Sequence, residues 1–585
     1  MNQKSSKQKS DIVPLLVVGS LTWLAFALRL RRLGAHSLWY DELLELDIVQ
    51  GPFMDIGHKL IGHAAMPLDY VLLHGWITLG RQDSWVRFPA LLFGVMAIPL
   101  MYVLASRLIN KSAGYSAAFL LTISAFAVRY SQEARPYALL LFLVMITFLG
   151  FWQVYRTHRR RYWVMAVVGM VGAALTHYFA IFLLLPLGLF VAIQQLYHLK
   201  PGRFRLHTSL FALLVVILGL VYTLNGRLGH LYSVGERFTR EVGQLDTYTI
   251  PAPDKPNRGT GPPLALEFFR EKVLVPLTTV DAEVLLLYGA FFLAAVVTLG
   301  RPQAQYRAAI LFLLSWLILP TLLIYTFLLH RGTFFATRYI LYTLPPFLIL
   351  VAYGIDTLTR RVLKLAAGQN AVDVFRRLGT YSSGRLLPFG LIALFLAPLF
   401  GAQLSQLVAA YNADSREDWR AVAQLLHDNA KPGDGVVAVW AEPTINWYYP
   451  DATTPFGTYR RSEAIWKTIR EKKRRWFVLS SYSFKRDQGL RDWLERQQAV
   501  KLVIDRRVVV YFHHEGQSAG EMLAQVKSFT LPQKGRTYRS LADQFRQQGD
   551  FETSRTLLQM AEELDGTFAQ DSTYLAQLAR LVALK

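Results

Sequence analysis

Eleven apolar stretches, separated by polar connections, fill the first 403 residues of this 585-residue chain. They run at roughly 12–30, 86–106, 113–128, 138–155, 163–176, 179–197, 208–225, 284–300, 308–329, 339–357 and 386–403. A helix that spans a bilayer needs ~20 mostly apolar residues, so the pattern predicts about eleven transmembrane helices, with 163–176 the short one. Two connections are long. Residues 31–85 contain interfacial stretches such as PLDYVLLHGWITLG, and residues 226–283 contain IPAPDKPNRGTGPP, which predicts an irregular loop. The connection 358–385 is basic and partly amphipathic, as a segment lying on the membrane surface would be. The helices show no internal repeat, which counts against a transporter built from paired halves.

After residue 403 the periodicity changes. SREDWRAVAQLLHDNAKPGDG reads as a helix that Asp418 or Ser415 caps and that KPGDG ends. VVAVW, WFVLS and VVVYF read as buried strands, so helix, turn and strand in succession predict an α/β layer. TYRSLADQFRQQGDFETSRTLLQMAEEL reads as two helices joined at QQGDFE and resembles one tetratricopeptide unit. The expected division is a transmembrane domain over 1–403, an α/β domain over 404–535 and a helical tail over 536–585.

Charge changes the picture by giving the helices a direction. With the N-terminus in the cytoplasm, the cytoplasmic connections hold 20 Lys/Arg against Asp11, Asp356 and Asp373, a net of +17. The external connections before residue 403 come to a net of +1. Basic residues resist translocation, so this bias predicts the orientation. Arg29, Arg31 and Arg32, at the outer end of the first helix, run against it. An odd number of helices then puts the C-terminal domain outside the cell inner membrane. The net charge of +22 does not call for nucleic acid, because most of it is the cytoplasmic bias facing anionic headgroups. The absence of cysteine excludes disulfides and thiolate metal sites. The first apolar segment lacks a small-residue cleavage site and reads as a retained anchor.

Four polar clusters fall on the external side of this topology. SLWYDELLE carries Trp39, Tyr40, Asp41 and Glu42; RYSQEARPY carries Gln132, Glu133, Arg135 and Tyr137; THYFA carries His177 and Tyr178; HRGTFFATRY carries His330, Arg331, Arg338 and Tyr339. Ionisable residues at membrane helix ends are costly unless used, so four such loops on one face predict a site at the membrane–water boundary. Each residue also has an ordinary role. Asp41 would cap a helix starting near Leu43, Glu133 would pair with Arg129 or Arg135, the arginines would snorkel, and the aromatics would form an interface belt. Adjacent carboxylates on a helix point ~100° apart, so Asp41 and Glu42 cannot share one task. Asp41, Glu133 and His177 permit a divalent metal, but no ligand spacing demands one, and neither metal nor cofactor is assigned.

SLWYDE, YSQEARPY, THYFA and RYILYTLPPFLIL, in this order and on one side, resemble the bacterial polyprenyl-phosphate-dependent glycosyltransferases. These are multi-spanning type C enzymes related to protein O-mannosyltransferases and to the aminoarabinose transferases of lipid A. The resemblance covers residues 12–403 and extends loosely into REDWRAVAQLL. It departs at HAAMPLDYVLLHGW, which begins at His63: Met66 and Asp69 stand where relatives carry a proline and an aromatic, so acceptor contacts there are left open.

The resemblance implies an inverting transfer of a sugar from an undecaprenyl-type phosphate to an acceptor hydroxyl on a glycan, lipid or protein of the cell envelope. It implies Asp41 as general base, with Glu42 orienting a basic residue or binding the acceptor. Arg135, Arg338 and His177 would bind the donor phosphate. Trp39, Tyr40, His63, Gln132, Glu133, Tyr137, Tyr178, His330, Arg331 and Tyr339 would line the substrates. The lack of a glycine-rich phosphate loop fits a lipid-linked rather than a nucleotide-linked donor. A polymerase or ligase moving whole glycans, or a flippase for the lipid-linked sugar, are the alternatives.

Overall fold

The structure, a computed structural model, describes residues 2–61, 65–198, 211–216, 219, 266–300, 306–331, 335–366, 382–412, 417–439, 444, 447–449, 471–480 and 488–565. The chain forms two compact units. The first comprises Met1–Leu33, Pro52–Leu231 and Arg258–Ala413; the second comprises Gly34–Gly51, Tyr232–Asn257 and Asp414–Lys585. Gly34–Gly51, which directly follows the first membrane helix, thus belongs with the C-terminal residues.

In the first unit, seven helices among the described residues are long and apolar enough to cross a membrane. They are Ile12–Leu30, Asp83–Leu108, Tyr137–Thr157, Ala282–Gly300, Arg307–His330, Thr337–Leu365 and Leu387–Asn412. Shorter apolar helices, Arg161–Thr176 and Tyr178–Ile193, occupy the fifth and sixth segments of the sequence pattern. This is a multi-pass membrane protein. Most of segment 208–225, the loop IPAPDKPNRGTGPP and residues 367–381 of the basic connection lie outside the described residues. Stacked rings of Phe148 and Trp316, with centroids 3.8 Å apart, sit at the centre of the core together with Phe312, Trp152 and Phe190. In the long connection 31–85, the apolar stretches form the helices Tyr40–Val49, Phe53–Ile61 and Pro67–Ile77.

The third apolar segment is not one helix. It breaks at Ser124 into Lys111–Ile123 and Ala125–Tyr130. A break in an apolar interior frees backbone groups that need partners. The carbonyls of Thr122 and Leu121 accept from the Arg29 guanidinium at 3.2 and 3.3 Å, and Arg29 Nε also donates to Ser131 Oγ at 3.2 Å. The freed Ala125 N–H donates to Gln403 Oε1 at 2.8 Å, and Ser124 Oγ caps the second half by accepting from Ala127 N–H. Arg29 is fully buried, so one of the three arginines that run against the charge pattern is an interior ligand of carbonyls rather than a solvated charge. Gly94 makes room for it: a Cβ there would lie 2.1 Å from Ser131 Oγ and 3.1 Å from Arg29 Nε.

The second unit holds a four-stranded sheet of β1 (Gly435–Val439), β2 (Arg474–Ser480), β3 (Val500–Val503) and β4 (Val508–His514), in the order β1-β2-β4-β3. β1 runs parallel to β2, and the other two pairs are antiparallel. The helices Trp419–Asn429, Gln488–Arg496 and Ala519–Val526 complete an α/β domain, the first capped by Asp418, whose Oδ1 accepts from Ala421 N–H at 3.1 Å. The edge strand β3 would expose backbone groups. Helix Gly535–Gln547 covers them: Thr537 donates to Val503 O, and Gln544 both accepts from Lys501 N–H and donates to Lys501 O. That helix and Phe551–Leu564 form the hairpin read from QQGDFE, and Ala542, Leu558 and Ala561 pack at their interface.

Candidate active site

Three of the four polar clusters converge in the membrane unit. Pro136 ends the loop after helix Ala125–Tyr130, so Tyr137 becomes the first residue of the next membrane helix. His177 lies where helix Arg161–Thr176 gives way to the 3-10 turn Tyr178–Leu183, and its Nδ1 caps that turn by accepting from Phe179 N–H at 3.2 Å. Arg338 and Tyr339 lie on the 3-10 turn Thr337–Thr343. These separate pieces meet around two rings. The Cζ atoms of Arg135 and Arg338 both lie 6.0 Å from the Tyr137 ring centroid. The His177 ring lies 5.8 Å from Tyr137 and 6.0 Å from Tyr339. Tyr130 Oη and Thr337 Oγ1 share a hydrogen bond of 3.3 Å that ties two of the loops together.

The electrostatics of this cluster are one-sided. Burial, then the positive fields of Arg135 and Arg338, pushes His177 down to about 3. A neutral ring with Nδ1 accepting carries its proton on Nε2, so it can donate there. Two guanidinium groups and a neutral imidazole N–H form an arrangement suited to a phosphate oxygen cluster. Asp69 adds a carboxylate. It stands in the first turn of Pro67–Ile77, half-buried, and burial raises it to about 6 despite the opposing field of Arg135. The sequence marks Asp69 only as a departure from the family pattern; nothing in its spacing predicts that it faces Arg135.

The first cluster sits in the other unit. Trp39 to Glu42 open the helix Tyr40–Val49, three residues before Leu43. Glu42 is fully buried, and its carboxylate accepts from Trp39 N–H at 3.0 Å. The helix-capping bond therefore falls to Glu42, and Asp41, half-buried in the first turn, is not the capping residue. The strand of chain before it is anchored on the α/β domain. Ser37 Oγ donates to Glu417 O at 2.7 Å, Trp419 N–H donates to Ser37 Oγ at 3.1 Å, and Leu38 N–H donates to Tyr448 Oη at 2.7 Å. Arg420 holds the carbonyls of Gly34 and Ala35 at 3.1 and 2.7 Å.

Other residues of the four motifs have backbone duties. Gln132 Nε2 donates to Arg29 O and Arg31 O, both at 2.8 Å, and so caps the end of the first helix. Glu133 is buried and forms an ion pair of 3.7 Å with Arg129, which is the ordinary role weighed for it. Tyr178 Oη donates to Ala65 O at 3.4 Å. His330 is exposed at the end of helix Arg307–Arg331. His63 and the side chain of Arg331 lie outside the described residues. Among the described residues no three His, Cys, Asp or Glu side chains gather as a metal site requires.

Residues 67–222 match the family described as dolichyl-phosphate-mannose-protein mannosyltransferase. No curated protein sequence matches the chain. Among solved structures, ArnT from Cupriavidus metallidurans bound to undecaprenyl phosphate superposes with a TM-score of 0.53 at 15% identity, over 86% of this chain and 98% of that one. The Archaeoglobus fulgidus oligosaccharyltransferase AglB, in complex with an inhibitory peptide and a dolichol-phosphate, gives 0.51 at 12% identity, over 87% of this chain and 75% of that one. At such identities the likeness is one of fold. The chain shares its fold with these two membrane proteins.

Proposed function

We propose that the protein transfers a sugar from a polyprenyl-phosphate donor to an acceptor hydroxyl at the extracytoplasmic face of the membrane. The observation that carries this reading is the cluster of Arg135, Arg338 and neutral His177 around Tyr137 and Tyr339. Such a cluster in a membrane protein suits a lipid phosphate, and a relative in fold binds undecaprenyl phosphate. In the proposed step the acceptor oxygen attacks the anomeric carbon as the bond to the phosphate oxygen breaks. Configuration inverts, Asp41 takes the acceptor proton, and the polyprenyl phosphate leaves with the bonding pair. The leaving phosphate gains charge, which the two arginines and the His177 Nε2–H stabilise. Asp41 is favoured over Glu42 as base because Glu42 is already engaged in the helix cap.

The test uses proteoliposomes carrying a polyprenyl phosphosugar and an accepting glycan, lipid or protein. Asp41→Asn keeps shape but removes the base, so transfer should fall by ~10²–10⁴ while lipid binding stays near normal. Arg338→Ala should weaken donor binding as well as turnover, because a phosphate charge loses its partner. Full transfer by Asp41→Asn would remove Asp41 from the mechanism. Movement of the lipid across the bilayer with no transfer would favour a flippase.

A further inference from the structure

The C-terminal α/β unit contains a cavity of about 780 Å3 that the proposed transfer does not use. It lies where β3 and β4 meet the end of helix Gln488–Arg496, helix Ala519–Val526 and helix Gly535–Gln547. The volume is in the range of small-molecule sites. Its walls are polar in a particular way. Lys501, Arg536 and Arg539 are offset by Glu495 and Asp543, so the cavity is close to neutral. The amides of Gln498, Gln547 and Gln548 are also in the lining, beside apolar side chains such as Val500 and Leu523. An amide presents donors and an acceptor side by side, which matches a hydroxyl that both donates and accepts. A bare anion would favour cations without the carboxylates.

Two observations set this cavity apart from an incidental cleft. Tyr511 is one of the lining residues and only 1% exposed, and among the described residues its hydroxyl has no hydrogen-bond partner. A buried hydroxyl left unmatched destabilises the fold, and a ligand hydroxyl would relieve it. Gln498, another lining residue, holds a left-handed backbone with φ of 52°, at the helix end where glycine is the usual residue. A glutamine there carries a backbone cost that glycine would avoid.

We propose that this cavity binds a neutral saccharide unit, of the kind an acceptor glycan would present. The proposal builds on the transferase reading, but its test is binding and needs no turnover. The full-length protein in nanodiscs is titrated with glucose, galactose, mannose and their linear tetrasaccharides, followed by saturation-transfer NMR, with inorganic phosphate as the anionic contrast. Gln498→Gly and Tyr511→Phe are chosen because each should leave thermal stability equal or raised, one by relieving backbone strain and one by deleting the unmatched hydroxyl. Each should weaken saccharide binding by about tenfold, the loss of one good hydrogen bond. Asp41→Asn should leave this binding unchanged. Absence of binding by any of the saccharides, tighter binding of phosphate, or saccharide binding indifferent to both substitutions would each overturn the proposal, whereas absence of transfer by the unsubstituted protein with saccharide binding intact would count against the transferase reading alone.

Discussion

At the scale of single residues, the membrane site is a contest for Arg135. Asp69 and a donor phosphate would both seek the same guanidinium. Burial holds the Asp69 carboxyl at about 6, although the Arg135 field opposes the rise. The unfolded carboxyl ionises near 3.8, so above that value the unfolded state ionises first. The contribution of Asp69 to stability is therefore present at low pH and is lost as pH rises through about 6. The same titration governs ligand access. Below about 6 the carboxyl is neutral and no longer competes with phosphate for the Arg135 charge. Binding of a polyprenyl phosphosugar, a diester whose charge does not change here, should tighten as pH falls from 7.5 to 5.5. Asp69→Asn should bind at pH 7.5 as tightly as the parent does at 5.5 and should lose the pH dependence. A parent profile flat between those values, measured by lipid titration in nanodiscs, would separate Asp69 from the phosphate site. His177 should add no step there, because its folded value of about 3 keeps it neutral throughout. The sequence showed the chemistry-bearing types at these positions. It did not show that Asp69 faces Arg135 or that Gln132 is spent on a helix end, since those depend on contacts distant in sequence.

At the scale of elements, apolar length was legible and interruption was not. Tyr137–Thr157 and Asp83–Leu108 fall close to the segments read from hydropathy, because ~20 apolar residues leave few options in a bilayer. The break at Ser124 was hidden, because Ser124 sits inside a run as apolar as its neighbours. Its partners, Arg29 and Gln403, are 95 residues before it and 279 after it in chain numbering. β3 went unread for a related reason: four residues, alternating in burial, carry too little pattern to separate a strand from a loop. Close helix packing is also invisible until the partner is known. In helix Leu344–Ala366, a Cβ on Gly354 would lie 1.8 Å from the carbonyl oxygen of Phe291 on helix Ala282–Val296. Backbone cannot yield as a side chain does. Gly354→Ala should therefore force the two helices apart and cost about 1–3 kcal/mol or more. Thermal unfolding in detergent checks this, and an unchanged midpoint would mean that the helices do not approach so closely.

At the scale of the whole molecule, the order of residues along the chain and the order in space diverge. The sequence places SLWYDELLE in a membrane domain spanning 1–403, yet Gly34–Gly51 is compact with the C-terminal residues. Ser37, Leu38, Gly34 and Ala35 are the tether, and all five of these contacts involve a backbone atom, which no sequence pattern encodes. The orientation of the membrane unit, by contrast, rests wholly on the sequence, through the basic bias of the cytoplasmic connections. It can be tested directly, because the chain has no cysteine. Arg160, between helices Tyr137–Thr157 and Arg161–Thr176, and Arg506, between β3 and β4, are both exposed. The charge bias puts Arg160 in the cytoplasm and Arg506 outside. In intact spheroplasts a membrane-impermeant maleimide should label Arg506→Cys and leave Arg160→Cys untouched until the cells are lysed. The reverse pattern would place the polar motifs on the cytoplasmic side, where nucleotide sugars are available. The argument for a lipid-linked donor would then lose its premise. Labelling of both sites in intact spheroplasts, or of neither, would mean an even number of crossings between them and would end the topology on which the proposed site depends.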